Sequence, residues 1–447
     1  MTDYITEALK SESLRTLKKL IAIPSVNMTN GNERAFPPFG KAIDQALKQT
    51  LNICEKMGMD TFYDPEGFYG FAEYGEGDET IGVLCHLDVV PEGDLDKWES
   101  NPFDAVERDG VLYGRGTQDD KGPTIAALYA FKAVMDSEEV FNKKIRFIFG
   151  TDEETLWRCM KMYEAHEDFP DRGFVPDGTF PLTYAEKALL QVKLTGPGAK
   201  KMSIECGTSP NVVPDRAEYI CENTEQLSAI FDKMEIPYTV EGKKMTVLGR
   251  SVHASQAQDG KNAIALLAKG LVGFQPHPAI SFIGEKIGME TNGETLFGKV
   301  EDEITGELTL NVGTLTITDT YSEITLDMRI PHSHDKEAIA DKLKKVTQVY
   351  GLDYMEYDYL PSLYVPLESD LVQTLWNVYK DKTGDDSEPV TSGGATYARS
   401  MPNMVAFGAH FPGSESLAHQ ENEGIKLDEF YKSMDIYAEA IVRLCCR

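Results

Sequence analysis

The sequence predicts a doubly wound α/β domain, assembled from both ends of the chain and interrupted by an inserted α+β domain. Three observations carry this expectation. Apolar strand-like runs alternate with helical stretches over residues 1–189. Short alternating strands replace that texture over 190–362, and an α/β pattern returns over 363–447.

At 447 residues the chain is longer than one ordinary domain. Its 41% hydrophobic and 26% charged content is the balance of a globular protein. A formal charge of −29 lacks the basic footprint that nucleic acid requires, and an anionic membrane surface would repel it. Neither is an expected partner. The first stretch, MTDYITEALKSESLRTLKKL, has mixed charges and no apolar segment, so no signal peptide is expected. No run approaches the ~18 apolar residues of a membrane span. Seven scattered cysteines without a CxxC pair fit reduced thiols and a cytoplasmic location.

Taken in order, residues 3–22 and 36–58 read as helices, separated by the loop IPSVNMTNGNE. Thr61 to Tyr74 reads as a strand pair turning at Asp64-Pro65-Glu66-Gly67. IGVLCHLDVVP is near-continuously apolar, as a strand buried on both faces must be, and a period of two points His86 and Asp88 to one side. WESNPF is a loop, and Gly114, Gly116 and Gly122 bracket a turn into a helix from Pro123 to Met135. GRGTQD lacks the third glycine and the Walker lysine spacing, so a nucleotide is not expected there. Ile145 to Phe149 is a short strand broken by Gly150, followed by Asp152, Glu153 and Glu154 and a helix from Leu156 to His166. RGFVPDGTFP reads as a loop carrying Asp177.

The second stretch offers strands in QVKLTG, MSIECG, AEYICE, LTLNVGTL and EITLDMRIP. Its helices fall near 224–234, 262–272 and 335–350. Pro361 and Pro366 mark the return crossing, after which helices are expected at 370–382 and 427–444.

A DEE run alone reads as a solvated acidic turn. Here other strand ends and loops carry similar donors: His86, Asp88, Asp119, Asp177 and His419. Buried carboxylates repel one another and lose hydration unless a cation compensates. Imidazole and carboxylate donors without cysteine suit zinc, manganese or cobalt. Two histidines and at least three carboxylates suffice for two ions with one carboxylate bridging. Asp88 has the reach to hold an imidazole N–H or a neighbouring ligand.

The ordered set HLDVVP, WESNPF, GRGTQDDKG, TDEET, PDGTFP and AHQENE resembles the aminoacylase/carboxypeptidase family of dinuclear metallopeptidases. Spacing and length are closest to its bacterial dipeptidases of the PepV type. The resemblance implies two divalent ions per chain, zinc before manganese or cobalt. It implies that Asp119 bridges them, with His86 and Asp177 on one and Glu154 and His419 on the other. Glu153 is then the general base and Asp88 the support for His86. The inserted domain resembles that family's lid. GRSVHASQAQDGKNAI implies that His253 reaches the scissile carbonyl, while Asn211, Arg329 and the backbone at Gly393 and Gly394 clamp a substrate carboxylate. The enlarged lid implies a monomer.

Leu156, Ala188 and Ala257 stand where the family commonly has Gly, Gly and Pro, and bear on substrate preference rather than activity. His166, His277, His332, His334 and His410 receive no role at the site. The expected reaction is hydrolysis of a dipeptide, including β-alanyl or D-residue dipeptides, by a water between the metals. Deacylation of N-acyl amino acids and carboxypeptidase action are alternatives for the same centre. A catalytically silent small-peptide-binding protein is the non-enzyme alternative.

Overall fold

The chain divides into two compact units: residues 1–184 with 365–390 and 396–447, and residues 185–364 with 391–395. The computed structural model describes residues 4–28 and 36–446. The expected segments 1–189, 190–362 and 363–447 need correction at 391–395. That stretch joins the second unit through its main chain: Gly393 accepts from Arg329, and Ser392 accepts from the Lys187 amide. Among the described residues no helix is long and apolar enough to cross a membrane.

The first unit is organised by four parallel strands, in the order Lys144–Gly150, Thr80–His86, Arg172–Val175 and Met404–Ala406. The antiparallel strands Gly70–Tyr74 and Asp60–Tyr63 continue the sheet beyond Lys144–Gly150. Parallel strands buried on both faces need continuous apolar sequence, and Ile81, Val83, Leu84 and Cys85 are fully or almost fully buried. The helix Lys121–Met135 is apolar nearly all round and buried over most of its length, against Leu427–Cys445 and Glu7–Ile21.

Several local expectations change. The helices expected over 3–22 and 36–58 run Glu7–Ile21 and Lys41–Lys56, and residues 3 and 29–35 lie outside the described residues. The strand through HLDVVP stops at His86; Leu87 still donates to the Gly150 carbonyl, and Val89 then donates to that of Ser25, off the sheet. RGFV, expected as loop, is the buried strand Arg172–Val175, since its glycine fits beside a neighbouring strand. The helix expected from Leu156 begins at Arg158, with Trp157 before it in left-handed backbone at φ 55°.

The second unit has an antiparallel sheet in the order Ile204–Cys206, Thr309–Ile317, Tyr321–Ile330, Ala188–Pro197, Asp353–Leu360. Ala188, Leu190, Val192 and Leu194 alternate into its core, with residues of the helices Ala263–Leu271 and Lys336–Val349 in the same apolar cluster. A smaller sheet, Arg216–Ile220, Lys244–Leu248 and Tyr238–Glu241, completes it. Its last two hairpin strands carry no long apolar run and were not expected from the sequence.

Gly173 pairs with Gly82 so closely that a Cβ on Gly173 would lie 2.0 Å from the Gly82 carbonyl oxygen. Backbone in the middle of a sheet cannot swing aside. Gly173→Ala is expected to destabilise the protein by about 1–3 kcal/mol, the range for overpacking. A urea midpoint equal to the parent's would show that the two strands can part without cost.

Candidate metal centre

The parallel register aligns His86 with Gly150 and Val83 with Phe174, so the turns after three neighbouring strands open on one edge of the sheet. Those turns carry His86 itself, Glu153 and Glu154, and Asp177. Asp119 arrives on the loop before the helix Lys121–Met135. His419 lies ahead of the short strand Gly424–Lys426, which pairs with Val111–Tyr113 just before the Asp119 loop. That pairing brings two distant stretches of chain together.

The His86 ring is buried, and its Nδ1 lies 3.0 Å from the Asp88 carbonyl oxygen. With a proton on Nδ1, Nε2 presents a lone pair. Nε2 lies 2.8 Å from Asp119 Oδ1 and 3.7 Å from Asp177 Oδ2. On the other side, His419 Nε2 is 2.9 Å from Asp119 Oδ2 and 3.1 Å from Glu154 Oε2. Asp119 thus turns one oxygen to each imidazole. His86 Nε2, Asp119 Oδ1 and Glu154 Oε1 are buried and lack a hydrogen-bond partner. Ligand atoms of His86, Asp119 and Glu154 lie within 4.8 Å of one another. Orphaned buried donors of this kind fit a divalent cation.

The electrostatics carry the same strain. Burial pulls the His86 imidazole down, but the carboxylates of Asp119 and Asp88 beside it outweigh this and hold it well above the usual range. His419 is pushed up to about 11, its burial overcome by Asp119 and Glu154. Burial pushes Glu153 well up; His86 opposes it, while Glu154, Asp177 and Asp119 add to it. Asp177 is pushed well up by burial and by Asp119.

Asp88 makes contacts beyond the support of His86 expected of it. Because the strand ends at His86, the Asp88 carboxylate leaves the sheet line and lies 3.6 Å from Nδ1, whereas its own carbonyl lies closer. The carboxylate instead accepts from the amides of Glu153 and Glu154 at 3.1 and 3.0 Å. It orients the acidic turn as much as the imidazole. Asp152, left without a role by the sequence, is buried and takes both Nε and Nη2 of Arg158 at 2.8 Å, closing the turn. The Trp157 indole donates to the Glu153 carbonyl at 2.7 Å.

Further residues went unnoticed in the sequence. The Asp120 carboxylate accepts from the His86 amide at 3.1 Å and is pushed up to about 7, chiefly by burial. Glu423 and Arg115 form a buried ion pair at 2.7 Å. Glu423 also accepts from the amides of Gly116, Gln118 and Asp119. The available signals were an arginine between two glycines in GRG and an acid immediately before a strand.

In the second unit, Arg329 is buried, and Asp327 takes its Nε and Nη2 at 2.7 and 3.1 Å. Its Nη1 donates to the Gly393 carbonyl at 3.0 Å. The expected carboxylate clamp is therefore already charge-paired, since residues two apart on a strand share a face. Gly394 donates to Ser392 Oγ at 2.8 Å. The Asn211 carbonyl accepts from the Ala254 amide, beside His253, whose Nδ1 lies 2.8 Å from Ser255 Oγ. Ser255 also packs against Gly393, where a Cβ would stand 2.9 Å from its own.

Residues 82–443 match the model of "Peptidase family M20/M25/M40". The chain belongs to this peptidase family. Among its relatives there, the Bacillus subtilis (strain 168) candidate dipeptidase YtjP is 37% identical, over 97% of each chain. A Staphylococcus aureus (strain USA300) candidate dipeptidase is 34% identical, over 98% of this chain and 97% of its own. The M20 family metallo-carboxypeptidase Sso-CP2 of Sulfolobus solfataricus shares the fold, with a TM-score of 0.63 and 20% identity over 96% and 98% of the two chains.

In this M20 peptidase, removing one charge of a buried pair leaves the other uncompensated, at a cost of about 3–5 kcal/mol. Glu423→Gln is expected to lose that much, because among the described residues the other hydrogen bonds of the Arg115 guanidinium go to the carbonyls of Gln420 and Pro91, which carry no charge. Urea unfolding measures it, and a loss under about 1 kcal/mol would show the pair to be dispensable.

Proposed function

We propose that this peptidase is a dipeptidase working with two divalent ions, zinc being the cation its donors suit best. The observation that carries the reading is Asp119, with one carboxylate oxygen facing His86 and the other facing His419. His86 and Asp177 would hold one ion with Asp119, and Glu154 and His419 the other. When bound, such ions supply Lewis acidity, polarising a carbonyl and acidifying a water. All five ligands come from one chain, in keeping with a monomer. The identity with candidate dipeptidases over nearly the whole chain supports a short peptide as substrate.

Glu153 is the general base. It is not needed as a ligand, and burial, with Glu154, Asp177 and Asp119 near it, raises its proton affinity, which suits a group that must take a proton from water. Its carboxylate would accept the proton of the attacking water and pass it to the leaving amine. Asp88 on its amide and Trp157 on its carbonyl fix its main chain. His253 would donate to the oxygen of the scissile carbonyl as negative charge grows there, an interaction worth about 2.7–4 kcal/mol when well placed. Arg329, with Asn211 and the backbone at Gly393 and Gly394, would receive the substrate's free carboxylate. Asp327 leaves the guanidinium fixed in orientation for that task.

Glu153→Gln is expected to keep both ions while turnover of free dipeptides falls about 10²–10⁴-fold. Glu154→Gln should instead lose one ion. Metal analysis beside a dipeptide assay separates the two, and near-normal turnover in Glu153→Gln refutes the assignment. N-acetylated dipeptides should be poor substrates; preference for them would favour a deacylase.

Arg329→Ala is expected to raise KM for dipeptides more than it lowers kcat. An unchanged KM would take the carboxylate away from Arg329.

A further inference from the structure

The loop bearing His419 is held by one side chain of the loop bearing Asp119. Gln118 Oε1 accepts from the amides of Leu417 and Ala418 at 2.9 and 3.1 Å. Its Nε2 donates to the carbonyls of Glu415 and Gly424 at 3.2 and 2.8 Å. Two donors and two acceptors saturate a primary amide, and only this orientation of the group matches all four partners. The contacts flank His419 on both sides in sequence. In return, Glu423 reaches back to the amides of Gly116, Gln118 and Asp119. Each loop therefore holds the other through a side chain lodged in its main chain.

His419 needs such support. It is half-exposed, sits in left-handed backbone at φ 64°, and comes from an irregular segment instead of a strand end. Its distance to Asp119 is set by two loops that a three-residue strand pairing brings together, and not by the central parallel sheet. His86, by contrast, is fixed by a central strand and by the Asp88 carbonyl.

We infer that Gln118 is a positioning residue for the ion held by Asp119, Glu154 and His419, and has no corresponding part in holding the ion at His86 and Asp177. The inference rests on the two-ion reading above. Glutamate has the size of glutamine but sets a carboxylate against the carbonyls of Glu415 and Gly424, and methionine keeps the length while making none of the four bonds.

The test is zinc titration of the metal-free protein against a chromophoric chelator, for the parent, Gln118→Glu and Gln118→Met. The parent should bind two ions. Both variants should hold one ion with parental affinity and the other about 10–100-fold more weakly, the usual effect of removing an outer support. The retained ion is the internal control that the variant is folded, and a Glu154→Gln protein marks which affinity has changed. If the parent binds two ions and both variants do so with parental affinity, Gln118 has no positioning role. Equal weakening of both ions would likewise overturn the inference, by showing a general structural defect. A parent that binds fewer than two ions would overturn the two-ion reading and the inference with it.

Discussion

Repulsion among carboxylates gathered at one edge of a parallel sheet is the constraint on which this structure depends. Asp119, Glu154 and Asp177 lie close enough to raise the proton affinity of Glu153, and burial deprives them of water. Desolvated charges cost several kcal/mol each unless compensated. The protein supplies two imidazoles but leaves His86 Nε2, Asp119 Oδ1 and Glu154 Oε1 without hydrogen bonds. Around this unrelieved set three other carboxylates are tied down: Asp152 to Arg158, Glu423 to Arg115, Asp88 to two amides. These bonds hold the surrounding turns in place while the central atoms stay without hydrogen bonds, as a cation's ligands would.

The run Asp152, Glu153 and Glu154 shows how adjacent identical charges are given different work. Asp152 turns inward to Arg158 and becomes a structural pin. Glu154 faces His419. Glu153 is steered by its main chain, through Asp88 on one side and the indole of Trp157 on the other. Holding a tryptophan in left-handed backbone costs of order 1–2 kcal/mol, and its packing against Tyr397 at 5.1 Å between ring centroids helps to offset this.

Much of this was legible because the imidazole and carboxylate groups gathered here follow strand ends, and strand ends follow apolar runs. His86, Glu154 and Asp177 could be marked that way, and the α/β pattern at both ends of the chain showed that an insertion separates them. What could not be read depends on where a strand stops and on contacts between distant segments. Asp88 was placed on the face of His86 by a period of two, yet the strand ends two residues before it, and its carboxylate, 3.6 Å from the His86 ring, hydrogen-bonds the amides of Glu153 and Glu154. Glu423 and Gln118 are polar residues in loops, indistinguishable from solvated ones until the pairing of Gly424–Lys426 with Val111–Tyr113 brings their loops together. The pairing of Arg329 with Asp327, by contrast, was present in the spacing of LDMRIP and went unused.

That short pairing also bears on the order in which the molecule can be built. The second unit is, apart from residues 391–395, one uninterrupted stretch, and its sheet closes from strands within that stretch. The first unit needs segments from both sides of the insertion. Contacts so far apart in sequence pay their loop-closure entropy before they return any stabilisation, and therefore form late. His419 comes from the later segment. A chain still being synthesised holds His86, Asp119, Glu154 and Asp177 without it, and these four can meet His419 only after the whole inserted stretch has been made.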